Sequence, residues 1–193
     1  AFQWDYNHIG IYVDAYHRVN KNIRLYCNMI TGYGGSGIVL NAERPELGGG
    51  IQDISVVNNV VSLSVLPGHT EFRSLDSLDD CPWTNVSISC NTFYNRESKN
   101  PPRIFPSAAH ITHLVIQNNI FAGVSYAMIS FQNTASTQAA GRIILANNLF
   151  YRFDGPVHNQ WKDGEDQYWG TQSVRSDPKF ISRNDLHLQS SSP

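Results

Sequence analysis

One asparagine, returning at the same register five times, is the feature that most constrains this chain. Five segments align without gaps: residues 23–30 (IRLYCNMI), 54–61 (ISVVNNVV), 86–93 (VSISCNTF), 114–121 (LVIQNNIF) and 143–150 (IILANNLF). Their starts lie 31, 32, 28 and 29 residues apart. Each has an alternating apolar strand, a polar pair, and then two residues that are mostly apolar. The second member of the pair is always asparagine: Asn28, Asn59, Asn91, Asn119 and Asn148. A period near thirty residues is the mark of a solenoid. Asparagine tolerates the left-handed backbone of a sharp bend. Identical amides stacked at about 4.8 Å can also hydrogen-bond from coil to coil. The pattern therefore predicts an all-β chain, a right-handed parallel β-helix of about five to six coils with loop insertions.

A second strand per coil is visible in residues 10–15 (GIYVDA) and 37–42 (GIVLNA), which match at an offset of 27, and again in residues 126–131 (YAMISF). Longer excursions run over about 62–84, 94–112 and 152–175 and carry the turn signals Pro67-Gly68, Pro101-Pro102 and Asp163-Gly164. Loops leaving one side of a solenoid tend to wall a groove. Residues 177–188 read as a last partial coil. Cys27 and Cys90 both precede a ladder asparagine, two coils and so about 9–10 Å apart, beyond the reach of a disulfide. They are expected as small buried fillers, and Cys81 stands unassigned in an excursion.

The 193 residues form a single β-helix domain, 1–193, and the pattern already running at Ala1 reads as the C-terminal portion of a longer β-helix. With 41% hydrophobic and 16% charged residues the chain is globular rather than disordered. A net charge of −2 provides no basic field for nucleic acid, and no apolar run is long enough for a membrane helix.

Strand alternation then sorts the first coil into two faces. Ile9, Ile11, Val13 and Ala15 are expected to point inward, and His8, Tyr12, Asp14 and Tyr16 outward. The 27-residue offset puts Asn41 beside Asp14, with Glu43 two residues further along the outer face. Two carboxylates on adjacent coils, about 5–9 Å apart by strand geometry, span both the retaining and the inverting range of a glycosidase. Trp4, Tyr12 and Tyr16 would offer rings to the C–H faces of a sugar. Asn41 would bind a substrate hydroxyl or orient Asp14, and His8 and Arg44 are candidate groove contacts. The bland alternative is a solvated sheet whose acids and aromatics do no chemistry. A second aromatic segment, residues 161–169, sets Trp161 and Trp169 around three acids. These could form a second sugar platform or a calcium site, but the spacing is not that of an EF-hand and no motif calls for calcium, so a wall or end cover is the expected role. No cofactor or metal-ligand motif is present otherwise.

The runs GIYVDAY (10–16) and GIVLNAERPELGG (37–49), followed by the strand at Ile54, resemble secreted right-handed β-helix proteins. More narrowly, over about residues 1–61 they are similar to the glycoside hydrolases of family 120, which include β-xylosidases. That family often carries a Gly-Ile-Tyr-Ile-Asp-Ala strand and, about one coil later, an Ala-Ser-Glu segment with glycines after it. This chain has Asn41-Ala42-Glu43 in the latter place. The resemblance implies an extracellular enzyme acting on carbohydrate, with Asp14 as nucleophile and Glu43 as general acid/base.

Two other readings stay open. A non-catalytic β-helix would bind glycans, or associate end to end through open coil edges. A polysaccharide lyase or epimerase would need a base and often calcium beside the acids, and Arg18, Lys21 and Arg24 lie near without clustering.

Overall fold

Left-handed backbone stands at Cys27, Asn58, Cys90, Asn118 and Asn147, with φ between 53° and 57°. These residues turn the chain one position before each ladder asparagine, not at it. The turning residue lies on the outside of the bend, and so Cys27 and Cys90 are exposed rather than buried fillers. The following asparagine is swung inward: Asn59, Asn91, Asn119 and Asn148 are all buried. Its amide then runs the stack. Asn28 donates its backbone N–H and its Nδ2 to Oδ1 of Asn59 at 2.9 and 2.8 Å, Asn59 does the same to Asn91, Asn91 to Asn119 and Asn119 to Asn148.

The computed structural model describes residues 9–33, 36–64, 73–77, 80–95, 99–104, 106, 109–125, 127–131, 141–157, 159–161, 164–166, 170–182 and 184–193. They form a parallel β-solenoid whose longest faces stack five and six strands. The first face holds β1 (Ile11–Asp14), β4 (Ile38–Asn41) and β7 (Leu75–Asp76) in one sheet. It adjoins a second sheet of β10 (Arg103–Ile104), β13 (Ser130–Phe131), β16 (Asn159–Trp161) and β17 (Gly164–Asp166). The second face stacks β2 (Val19–Tyr26), β5 (Gly50–Val57), β8 (Trp83–Ser89), β11 (Leu114–Gln117) and β14 (Ile143–Ala146). The third stacks β3 (Met29–Tyr33), β6 (Val60–Ser64), β9 (Thr92–Asn95), β12 (Ile120–Gly123), β15 (Leu149–Arg152) and β18 (Val174–Arg175). Strand pairing is parallel throughout the described residues except between β16 and β17.

Identical registers give columns of like residues in the core. Ile54, Val86, Leu114 and Ile143 form one column, and Val56, Ile88, Ile116 and Leu145 the next. On the third face Phe93, Phe121 and Phe150 stack with ring centroids 5.2 and 5.4 Å apart. Each buried side chain of this size contributes roughly 1.5–3 kcal/mol, so the core rather than the amides supplies most of the stability.

Two features were hidden in the sequence. Asn22, Asp53 and Asn85 make a second left-handed column, with φ of 60°, 53° and 53°. It lets Ile51 and Ile54, three residues apart, both face inward, and likewise Trp83 and Val86. The ladder also runs one rung further than the asparagines do. Gln172 takes the left-handed position (φ 55°), Ser173 Oγ accepts the N–H of Asn148 at 3.1 Å, and Val174 registers with Leu149. The last parallel rung thus begins inside the segment expected as an excursion. Residues 177–188 are not a further coil. Phe180 bridges Leu188 antiparallel, and its ring meets Tyr94 of β9 edge-on at 5.6 Å, so this segment folds back over the third face.

Candidate functional site

The first face carries the residues of interest because β1 and β4 pair in the register that the 27-residue offset predicts: Ile11 with Ile38, Tyr12 with Val39, Val13 with Leu40, and Asp14 with Asn41. Ile38, Leu40, Val13 and Ala15 enter the core. Tyr12 and Asp14 alternate to the other side and are half-buried. On the middle strand the outer residues are covered too, for Val39 is buried and Asn41 has 0% of its surface exposed.

Tyr12 links the two coils. Its hydroxyl donates to Oε1 of Glu43 at 3.0 Å and accepts from Nδ2 of Asn41 at 3.4 Å. Burial pushes the phenol well above its ordinary pKa, and the charges of Asp14 and Glu43 add to this, against a partly opposing hydrogen bond from Asn41. Tyr12 is therefore a neutral hydrogen-bond donor across the whole working range of pH. Asp14 is anchored through its main chain, where its carbonyl accepts Nδ2 of Asn20 at 2.7 Å.

Glu43 leaves β4 at the head of a short loop that enters a 3-10 turn, Pro45–Leu47, with Pro45 at its start and Gly48 closing it at φ 90°. Gly49 brings the loop back onto β1. A Cβ at that position would sit 2.4 Å from the carbonyl oxygen of Ala15, so only glycine passes there. The glycines of the GIVLNAERPELGG run thus hold the loop that carries Glu43 against the strand that carries Asp14. At its rim the Arg44 guanidinium lies 5.8 Å from the centre of the Tyr16 ring and 3.4 Å from Glu46.

Of the residues singled out from sequence, Tyr12, Asp14, Asn41 and Glu43 come together, and Tyr16 and Arg44 meet each other beside them. Trp4 and His8 lie outside the described residues, as do Asp163, Tyr168 and Trp169 of the second aromatic segment. Sequence reasoning gave Tyr12 a ring to stack sugars on and missed its hydroxyl, because a strand register says nothing about where a following loop returns.

It also missed an ion pair further along the same face. Asp76 registers with Val39 and its carboxylate takes Arg103 in two-point fashion, Nε to Oδ1 at 2.6 Å and Nη2 to Oδ2 at 3.1 Å, with the N–H of Ser77 at 2.9 Å. Burial raises the Asp76 carboxyl, while Arg103 and Arg73 pull it back toward ionisation. The pair joins β7 to β10, where one sheet ends and the next begins. Asp76 and Arg103 lie 27 residues apart, the offset of the first two coils, but no recurring residue type marked either of them.

Among the described residues no group of three or more histidine, cysteine or acidic side chains is arranged to hold a metal ion, and no helix is long and apolar enough to cross a membrane. Comparison with protein-family models, curated proteins and solved structures finds no match to the chain.

Proposed function

We propose that this β-helix is a secreted carbohydrate-active protein, a glycoside hydrolase that cleaves poly- or oligosaccharide with Asp14 and Glu43. The observation that carries the reading is the pairing of Asp14 with Asn41 across adjacent coils, with Glu43 tied by Tyr12 to the same two strands. Two carboxyl groups on one rigid face are the minimum that glycosidic cleavage requires. In the retaining form, which the likeness to family 120 favours, Glu43 gives a proton to the departing oxygen while Asp14 bonds to the anomeric carbon. Glu43 then takes a proton from water as that water displaces Asp14. The exposed Tyr16 ring and Arg44 would line the approach. The test is turnover of aryl β-xylosides and related aryl glycosides by the parent chain, Asp14→Asn and Glu43→Gln. Loss of at least about 100-fold in each variant supports the reading. Equal rates, or no turnover by the parent, remove it.

One observation favours a second, non-catalytic reading. Tyr26 and Met29, on the outermost described strands of the second and third faces, are 61% and 74% exposed. Large apolar side chains on the outermost of the described strands suit end-to-end association. Light scattering across a concentration series tests this, and a monomer throughout rejects it.

A further inference from the structure

We infer that Tyr12 is a positioning residue, whose hydroxyl, oriented by the buried amide of Asn41, fixes the Glu43 carboxyl group. The phenol then belongs to the proton-transfer machinery and not to a sugar-stacking surface. This rests on the glycosidase reading for its consequence, though not for its geometry.

The direction of each bond follows from the chemistry of the groups. The Nδ2 of Asn41 can only donate, so in the 3.4 Å contact the phenol oxygen is the acceptor. The phenol in turn donates its proton to Oε1 of Glu43 at 3.0 Å. Asn41 has no exposed surface and pairs with Asp14 at the end of β4, so its amide is a fixed support. Glu43 stands at the start of a loop with three rotatable side-chain bonds, and without Tyr12 it would sample many rotamers. With Oε1 engaged, Oε2 is the oxygen that exchanges a proton with the glycosidic oxygen. A tyrosine used in this way is also poorly disposed to stack a sugar, since it is half-buried and its polar tip turns to the protein.

The experiment compares the parent with Tyr12→Phe on aryl β-xylosides of graded leaving group. For leaving groups that need protonation, kcat is expected to fall about 10–100-fold, and for 2,4-dinitrophenyl by less than about 3-fold. A loss equal for all leaving groups, or confined to KM, overturns the inference in favour of a stacking or purely structural role. A thermal-melting cycle of Tyr12→Phe, Glu43→Ala and the double variant separates this from the glycosidase reading itself. If the double variant melts higher than the summed losses predict, the contact stands even where the parent turns over nothing, and only the enzymatic reading fails. Strictly additive losses overturn the contact whatever the activity.

Discussion

Oδ1 of Asn59 accepts both the backbone N–H and the side-chain Nδ2 of Asn28, at 2.9 and 2.8 Å, and its own Nδ2 reaches back to the Leu25 carbonyl at 2.9 Å. One amide therefore serves two coils at once, as acceptor for the main chain of one rung and donor to its strand. Replacing a central rung removes four hydrogen bonds, one of them the bond to a buried main-chain N–H. Asn91→Ala strips Oδ1 from the N–H and Nδ2 of Asn59 and removes the donor to Val56 and Asn119. Orphaning the buried Asn59 N–H costs about 1–3 kcal/mol and each other lost bond about 0.5–1.5 kcal/mol, so a loss of roughly 3–5 kcal/mol is expected in urea unfolding. Ser173→Asn, which completes the sixth rung, is expected to stabilise by about 0.5–1 kcal/mol.

The cysteines divide two to one. Cys27 and Cys90 face solvent and Cys81 is buried. A thiol reagent added to the native protein should label two thiols at once and the third only on unfolding, read as two-phase absorbance change. Because Cys27 and Cys90 occupy left-handed positions that asparagine fills in other coils, Cys90→Asn should be neutral in Tm. Cys90→Val, β-branched at that φ, should destabilise by about 1–3 kcal/mol.

Gly49→Ala tests whether the loop is held for the sake of the site. The added methyl meets the Ala15 carbonyl and, at 3.0 Å, that of Arg44, both main-chain groups that cannot rotate away. The loop must shift, at a cost of about 1–3 kcal/mol, and with it Glu43. Turnover should fall more than 10-fold, since displacements near 1 Å can cost about 100-fold, while the far-ultraviolet circular dichroism stays that of the parent.

Removing the carboxylate of the Asp76–Arg103 pair should cost about 3–5 kcal/mol, because Arg103, only 16% exposed, loses both bonds of its two-point contact. Asp76→Ala is expected to show this in urea unfolding, and the double variant Asp76→Leu with Arg103→Met should recover most of it. If Asp76→Ala is neutral, the pair does not secure the junction between β7 and β10.

What the sequence made legible was whatever repeats. Ile54, Val86, Leu114 and Ile143 alternate into one core, and the asparagines stack at the registers their spacing predicts. The 27-residue offset likewise puts Asp14 beside Asn41. Illegible were the singular features. Ser173 does the work of an asparagine through a different atom, Asp53 bends a strand that reads as continuous, and Arg103 finds Asp76 across a long excursion. The left-handed residue was placed one position late, since asparagine occurs on both sides of several bends and the two roles look alike in composition. Only the cysteines at 27 and 90 mark the distinction, by standing where no ladder amide can be.

The claim on which the functional account turns is that Asp14 and Glu43 work as one site. Its most direct measurement is kcat/KM on 4-nitrophenyl β-xyloside for the parent, Asp14→Asn, Glu43→Gln and the double variant. Groups that act as a unit are strongly non-additive, so the double variant should be no slower than the slower single one. Losses that multiply, or a single substitution that leaves the rate unchanged, would contradict it.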